Sequence, residues 1–210
     1  MNLTTRYMGL TLKNPLVASA SPLSQRLETI RELEDRGASA VVLFSLFEEQ
    51  LRHDAGALDY FMTVGTDSFG EALSYFPLVD GCEVAPTQYL ELIRKASAAV
   101  DIPIIASLNG TTDRGWIDFA TLMEEAGAKA IELNIYYIPT AMHRTGAQIE
   151  EQYLDVVARV KSAVSIPVAV KVGPYFSSFA HMAGRTDDFE NWTESPHRDL
   201  IDDECPRAIQ

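Results

Sequence analysis

Polar residues that could do chemistry stand at the ends of apolar runs in this chain. Ala20 and Ser21 follow the first run, and Phe44 and Ser45 end the second. Ser107, Asn109 and Gly110 close the third, Asn134 closes the fourth, and Lys171 with Gly173 closes the fifth. An asparagine amide both donates and accepts, which suits the ring nitrogens and carbonyls of a planar heterocycle. A lysine beside it is a fixed positive charge, able to stabilise an electron-accepting ring as that ring gains negative charge. The plainer alternative is that Asn109 and Asn134 cap loops and Lys171 reaches solvent. The stretch after Asn134, Ile135-Tyr-Tyr-Ile-Pro-Thr-Ala-Met-His143, is aromatic where a simple turn would be small and polar. It reads as a substrate lid or a packing loop, with His143 as a candidate proton carrier or surface residue.

Composition narrows the partners. The chain has 210 residues, 47% hydrophobic and 22% charged, which suits one domain with a sizeable core. A formal charge of −13 argues against binding a phosphate backbone, so no nucleic-acid partner is expected. No apolar run approaches the roughly 18 residues of a membrane span. The start lacks the basic-then-apolar layout of a signal peptide, so a cytoplasmic location and no membrane partner are expected. Cys82 and Cys205 form neither a disulfide framework nor a metal spacing, and no metal is expected.

The elements that must position these residues repeat along the chain. Ala99-Val-Asp-Ile-Pro103 before Ile104–Leu108 matches Ala163-Val-Ser-Ile-Pro167 before Val168–Val172, 64 residues later. Arg36-Gly-Ala-Ser-Ala-Val-Val-Leu-Phe44 likewise matches Ala126-Gly-Ala-Lys-Ala-Ile-Glu-Leu-Asn134, each a helix stopped at Gly followed closely by a strand. Apolar residues at three-to-four spacing predict helices over 26–36, 86–100, 116–126 and 150–164. Continuous apolar runs predict buried parallel strands over 15–20, 40–44, 103–108, 130–134 and 167–172. Residues 6–13 read as a hairpin lid on the floor, and 45–85 as a long connection of the functional kind. The first strand ends in Ala18-Ser-Ala-Ser-Pro22, without the GxGxxG of a dinucleotide-binding sheet. The expectation is therefore an α/β (β/α)₈ barrel, of which about the first five βα units are present.

Asn14-Pro-Leu-Val-Ala-Ser-Ala-Ser21, Glu132-Leu-Asn134 and Val170-Lys-Val-Gly-Pro-Tyr-Phe176 resemble the class 1 dihydroorotate dehydrogenases, in order from about residue 3 to about residue 185. The resemblance implies an FMN-dependent barrel oxidoreductase of pyrimidine biosynthesis, turning dihydroorotate into orotate and passing electrons to fumarate or NAD. By the same resemblance Lys171 contacts the flavin ring, and Asn134 touches flavin and substrate. Ala20 and Ser21 lie against FMN; Ser45 and Asn109, from their places at strand ends alone, complete the cofactor-binding set. Tyr137 stands where the family has its catalytic cysteine, so it is the candidate base, with Thr140 and His143 behind it. The chain departs from the family at Phe44, where a lysine is usual. It also shows no Asn-x-Met-Gly motif within 65–81.

Residues 186–210 carry eight acidic and two basic side chains, −6 of the −13, and lack apolar periodicity. The chain is thus expected to divide into residues 1–185, the start of an FMN-binding barrel, and an acidic, disordered tail from 186. On that reading the C-terminal part that grips the FMN phosphate is missing. The chain is expected to purify colourless and to self-associate into homo-oligomers through bare strand edges. Whether it is an enzyme stays open at this point. The competing readings are an inactive remnant able only to bind or assemble, and a metal- or Schiff-base barrel aldolase using Lys171.

Overall fold

The computed structural model describes residues 2–47, 85–110, 113–135, 139–174 and 176–187. A short hairpin comes first, β1 (Thr5–Tyr7) and β2 (Leu10–Leu12), paired antiparallel as Thr5↔Leu12 and Tyr7↔Leu10. Its two turn residues, Met8 and Gly9, both have positive φ (51° and 68°), the left-handed geometry that matches the twist of flanking strands. Met8 accepts this backbone while its side chain is buried.

The remaining strands alternate with helices. β3 (Val17–Ala18) leads through a 3-10 turn (Pro22–Gln25) into α1 (Leu27–Asp35), then β4 (Ala40–Phe47). There follow α2 (Ala85–Ala99), β5 (Ile104–Asn109), α3 (Asp113–Glu125), β6 (Ala130–Ile135), α4 (Gly146–Ala163), β7 (Val168–Val172) and α5 (Phe179–Asp187). The five strands β3-β4-β5-β6-β7 pair in chain order, all parallel. A doubly wound sheet reverses its strand order partway, because its helices cover both faces. Sequential order with right-handed crossovers places every helix on one face.

That observation corrects the expectation of a (β/α)₈ barrel with about five βα units present to an open, partial wall. Closure at barrel tilt needs about eight strands. The described residues form five in an open sheet with β3 and β7 as its edges, a partial barrel wall. The long connection expected over 45–85 falls mostly outside the described residues. So does the acidic stretch 188–210, while α5 runs through Thr186, which is buried.

Side chains divide between the sheet's two faces. Val41, Leu43, Ile104, Ala106, Leu108, Ile131 and Leu133 pack with Ile30, Tyr89, Ile93, Met123, Val157 and Val160 of the helices. On the other, inner face Ala40, Val42, Ile105 and Ala130 meet Met8 and Leu12, so the hairpin plugs the floor as expected. Helix ends follow their sequence signals. Gly37 (φ 100°) and Gly127 (φ 104°) stop α1 and α3, with Ala38 and Ala128 donating N–H bonds back to Leu33 and Met123. α4 begins four residues before the predicted 150 because Thr145 and Gln148 form a reciprocal capping box. Such a cap stabilises a helix by about 1 kcal/mol.

The sequence repeat becomes a repeated contact. Glu34 of α1 accepts from the N–H groups of Asp101 and Ile102 (2.9 and 3.2 Å). Glu124 of α3 accepts from the Ser165 N–H (3.1 Å) and hydroxyl. In each case a helix-ending carboxylate satisfies the Pro-containing turn ahead of a strand, here β5 and β7.

Candidate functional site

The inner face changes character from floor to rim. At strand starts it is apolar, with Val42 opposite Ile105 and Ile105 opposite Ala130. One step further along, Ser45, Ser107 and Glu132 stand in one register row. Beyond them Asn134 pairs with Lys171. In parallel α/β folds ligands meet the sheet at this carboxyl end.

Ser45 reaches this row through a bulge. The register passes from Val42↔Ile105 to Ser45↔Ser107, so β4 carries one more residue than β5. Strict alternation from Ala40 and Val42 would turn Phe44 inward. The extra residue instead leaves both Leu43 and Phe44 on the helix side, where the Phe44 ring meets Tyr89 edge-on at 5.0 Å. Ser45 takes the inward position.

Beside the bulge Ser107 is held from the helix side. The Tyr89 hydroxyl accepts from the Ser107 N–H (2.9 Å) and donates to its carbonyl (3.1 Å). Burial, with a smaller push from the Glu132 charge, drives the Tyr89 hydroxyl well above its ordinary pKa of 10.0, against the lowering by its bond to Ser107. Tyr89→Phe keeps the ring and strands a buried N–H and carbonyl, a loss of about 1–3 kcal/mol. Thermal unfolding should shift down by several degrees. A hydroxyl whose folded pKa is raised contributes its full stability below about pH 10 and loses it as pH rises further. The gap between wild type and Tyr89→Phe should therefore narrow above pH 10, and a gap independent of pH would contradict this assignment.

The polar side chains form one connected set. Ser45 Oγ lies 2.8 Å from Ser107 Oγ, and Ser107 donates to Glu132 Oε1 at 3.1 Å. Lys171 Nζ reaches the same carboxylate oxygen at 3.2 Å, and Asn134 Nδ2 stands 3.5 Å from Ser45 Oγ. Ser107 is fully buried, and the Glu132 and Lys171 side chains are 15% and 50% exposed. The Glu132 charge is also felt at the floor, where Tyr7 has its pKa raised, first by burial and second by Glu132.

Of the residues singled out from sequence, Ser45, Asn134 and Lys171 come together here. Ala20 packs against the inner-face apolar cluster beneath them. Asn109 is half-buried, opposite Phe47 and two residues beyond Ser107 on the same strand face, with no hydrogen bond to the set among the described residues. Gly110 after it passes over the Trp116 ring, where a Cβ would stand 2.7 Å from Cδ2. Ser21 serves the 3-10 turn, its carbonyl accepting from the Ser24 N–H and hydroxyl. Tyr137 lies outside the described residues. His143 lines a separate concavity of about 630 Å³ with Arg144 and with Glu151 and Asp155 of α4. Ser107 was noted at its strand end but, like Glu132, was not placed in the sequence-derived cofactor-binding set. Their signal was parity: Glu132 sits two residues before Asn134, hence on its face.

No protein-family model matches the chain. Among curated proteins it is similar to the catalytic subunit of dihydroorotate dehydrogenase B (NAD(+)) from Thermoplasma acidophilum. The two are 27% identical over 189 residues, covering 87% of this chain and 58% of the relative. The corresponding subunit from Methanothermobacter thermautotrophicus is 28% identical over 189 residues, covering 89% and 58%. The NAD-dependent dihydropyrimidine dehydrogenase subunit PreA of Escherichia coli K12 is 23% identical over 189 residues, covering 87% and 44%. The resemblance seen in the motifs thus extends along most of this chain, which spans 58% of the length of the first two relatives. Among solved structures it is similar to a dihydrodipicolinate synthase from Agrobacterium tumefaciens, with a TM-score of 0.52 and 15% identity over 84% of this chain and 51% of that one. At that identity the likeness concerns the fold alone. The (β/α)₈ barrel expected from the βα units is corrected accordingly, to a partial barrel wall. No helix among the described residues is long and apolar enough to cross a membrane.

Proposed function

We propose that this chain carries the ring-facing side of an FMN-dependent oxidoreductase site, acting on a dihydroorotate-like cyclic amide. The observation that carries the reading is the Asn134↔Lys171 register pair at the carboxyl rim, in the segments where the dihydroorotate dehydrogenase likeness lies. The donor set suits a planar heterocycle. One cation, one amide and one hydroxyl stand on a single face, above the apolar side chains of Val42, Ile105 and Ala130. FMN, when bound, would supply the acceptor for a hydride. Lys171 would place its charge where negative charge grows, and Asn134 would orient the ring and the amide through paired donor and acceptor atoms. Tyr137 would take the substrate proton. NAD or fumarate is the acceptor class in this reading, following the names of the relatives. Self-association through the sheet edges β3 and β7 belongs to the same reading, with size-exclusion chromatography as its check.

The test is anaerobic. FMN is titrated into the purified chain while its fluorescence is followed, and dihydroorotate is then added. Saturable quenching followed by bleaching of the flavin absorbance is the expected result. Quenching without bleaching would mean binding without this chemistry, and the absence of quenching would overturn the flavin reading.

A further inference from the structure

The hydrogen bonds at the rim have a fixed direction, and that direction comes from Glu132. An ionised carboxylate only accepts, so the single proton of Ser107 is committed to Glu132 Oε1. Ser107 Oγ can then only accept from Ser45, 2.8 Å away, which commits the Ser45 proton in turn. Ser45 has nothing left to donate to Asn134, and the Asn134 amide accordingly turns Nδ2 toward it. Among the described residues its carbonyl oxygen has no hydrogen-bond partner, so it can accept from a ligand.

The same carboxylate oxygen receives Lys171. Glu132 has little freedom, being 15% exposed and tied to a serine that Tyr89 pins on both backbone groups. Lys171 is half exposed on a flexible four-carbon stem. An ion pair with so exposed a partner adds little stability. Its larger effect is on where the ammonium spends its time.

We propose that Glu132 is a positioning residue. It anchors the Lys171 ammonium over the inner face and, through Ser107 and Ser45, sets Asn134 with its carbonyl outward. The site thereby presents a cation beside an acceptor, which fits a ligand edge carrying an N–H next to a carbonyl or anionic oxygen. The presentation of that pair to a flavin ring rests on the function proposed above; the anchoring itself does not.

Carbodiimide treatment of the ligand-free chain, followed by peptide mass mapping, tests the anchoring. A Glu132–Lys171 amide cross-link is expected in the wild type and should be missing from Glu132→Gln. Its absence from the wild type would overturn the proposal. FMN titration tests the consequence with Glu132→Gln, Glu132→Asp and Lys171→Ala, each confirmed folded by circular dichroism. If Glu132 merely neutralised Lys171, Glu132→Gln would free the cation and tighten FMN binding, and Glu132→Asp would resemble the wild type. An anchor predicts the opposite: both variants should weaken binding, by about fivefold, the worth of roughly one hydrogen bond. Tighter or unchanged binding in Glu132→Gln, with Lys171→Ala weakened, would overturn the positioning role and leave the flavin reading standing. A cross-link in the wild type with all three variants titrating like it would uphold the anchor and defeat the flavin reading.

Discussion

Lys171→Ala is expected to slow flavin reduction by about 10²–10³-fold, the usual worth of a preorganised group facing developing charge. The argument rests on the geometry at the rim. The ammonium is held 3.2 Å from Glu132 and paired in register with Asn134, so it needs little reorganisation when charge appears on a ring above it. Alanine removes that charge and also leaves Glu132, an acceptor of like sign to the growing charge, uncompensated. Stability should hardly change, because a half-exposed ion pair contributes about 0–1 kcal/mol. The measurement is stopped-flow reduction of added FMN by dihydroorotate, alongside a thermal melt. A variant that reduces flavin at the wild-type rate would make Lys171 a surface residue.

Tyr137→Phe is expected to have the larger effect, a rate loss of about 10²–10⁴-fold, the share of a positioned base. The substitution removes one hydroxyl and leaves the ring, so repacking is minimal. Tyr137 follows the Glu132-Leu-Asn134 segment by three residues, and the function proposed above gives it the substrate proton. An ordinary tyrosine ionises near pH 10. A tyrosine base therefore predicts a wild-type rate that climbs with pH on the alkaline side, and a variant rate that does not. Equal rates for the two proteins would move the role to Thr140 or His143, or remove dihydroorotate as the substrate.

The rim was partly legible from residue types. Asn134 and Lys171 stood out because polar side chains at the ends of apolar runs are poor core fillers, and the structure sets them side by side. Glu132 was harder to see. It lies within an apolar strand, and only the two-residue alternation from Asn134 places it on the same face. Ser107 is inconspicuous by type, and its importance comes from Tyr89, eighteen positions earlier in the chain, which no local pattern links to it.

Periodicity, glycine stops and the repeated turn motifs carried the helices, the strands and their parallel pairing, because each depends on neighbours close in the chain. Gly37 and Gly127 end their helices through local backbone geometry, and apolar runs bury themselves on both sides of a sheet. Sheet closure is a different matter. It depends on how many strands pair and in what order, and the structure corrected the (β/α)₈ barrel expectation to an open wall of five strands. The exchange of Phe44 for Ser45 at the inner face was likewise decided only by tertiary packing. Alternation alone turns Phe44 inward. The ring instead finds Tyr89 on the helix side, β4 absorbs one extra residue, and every side chain beyond the bulge changes face.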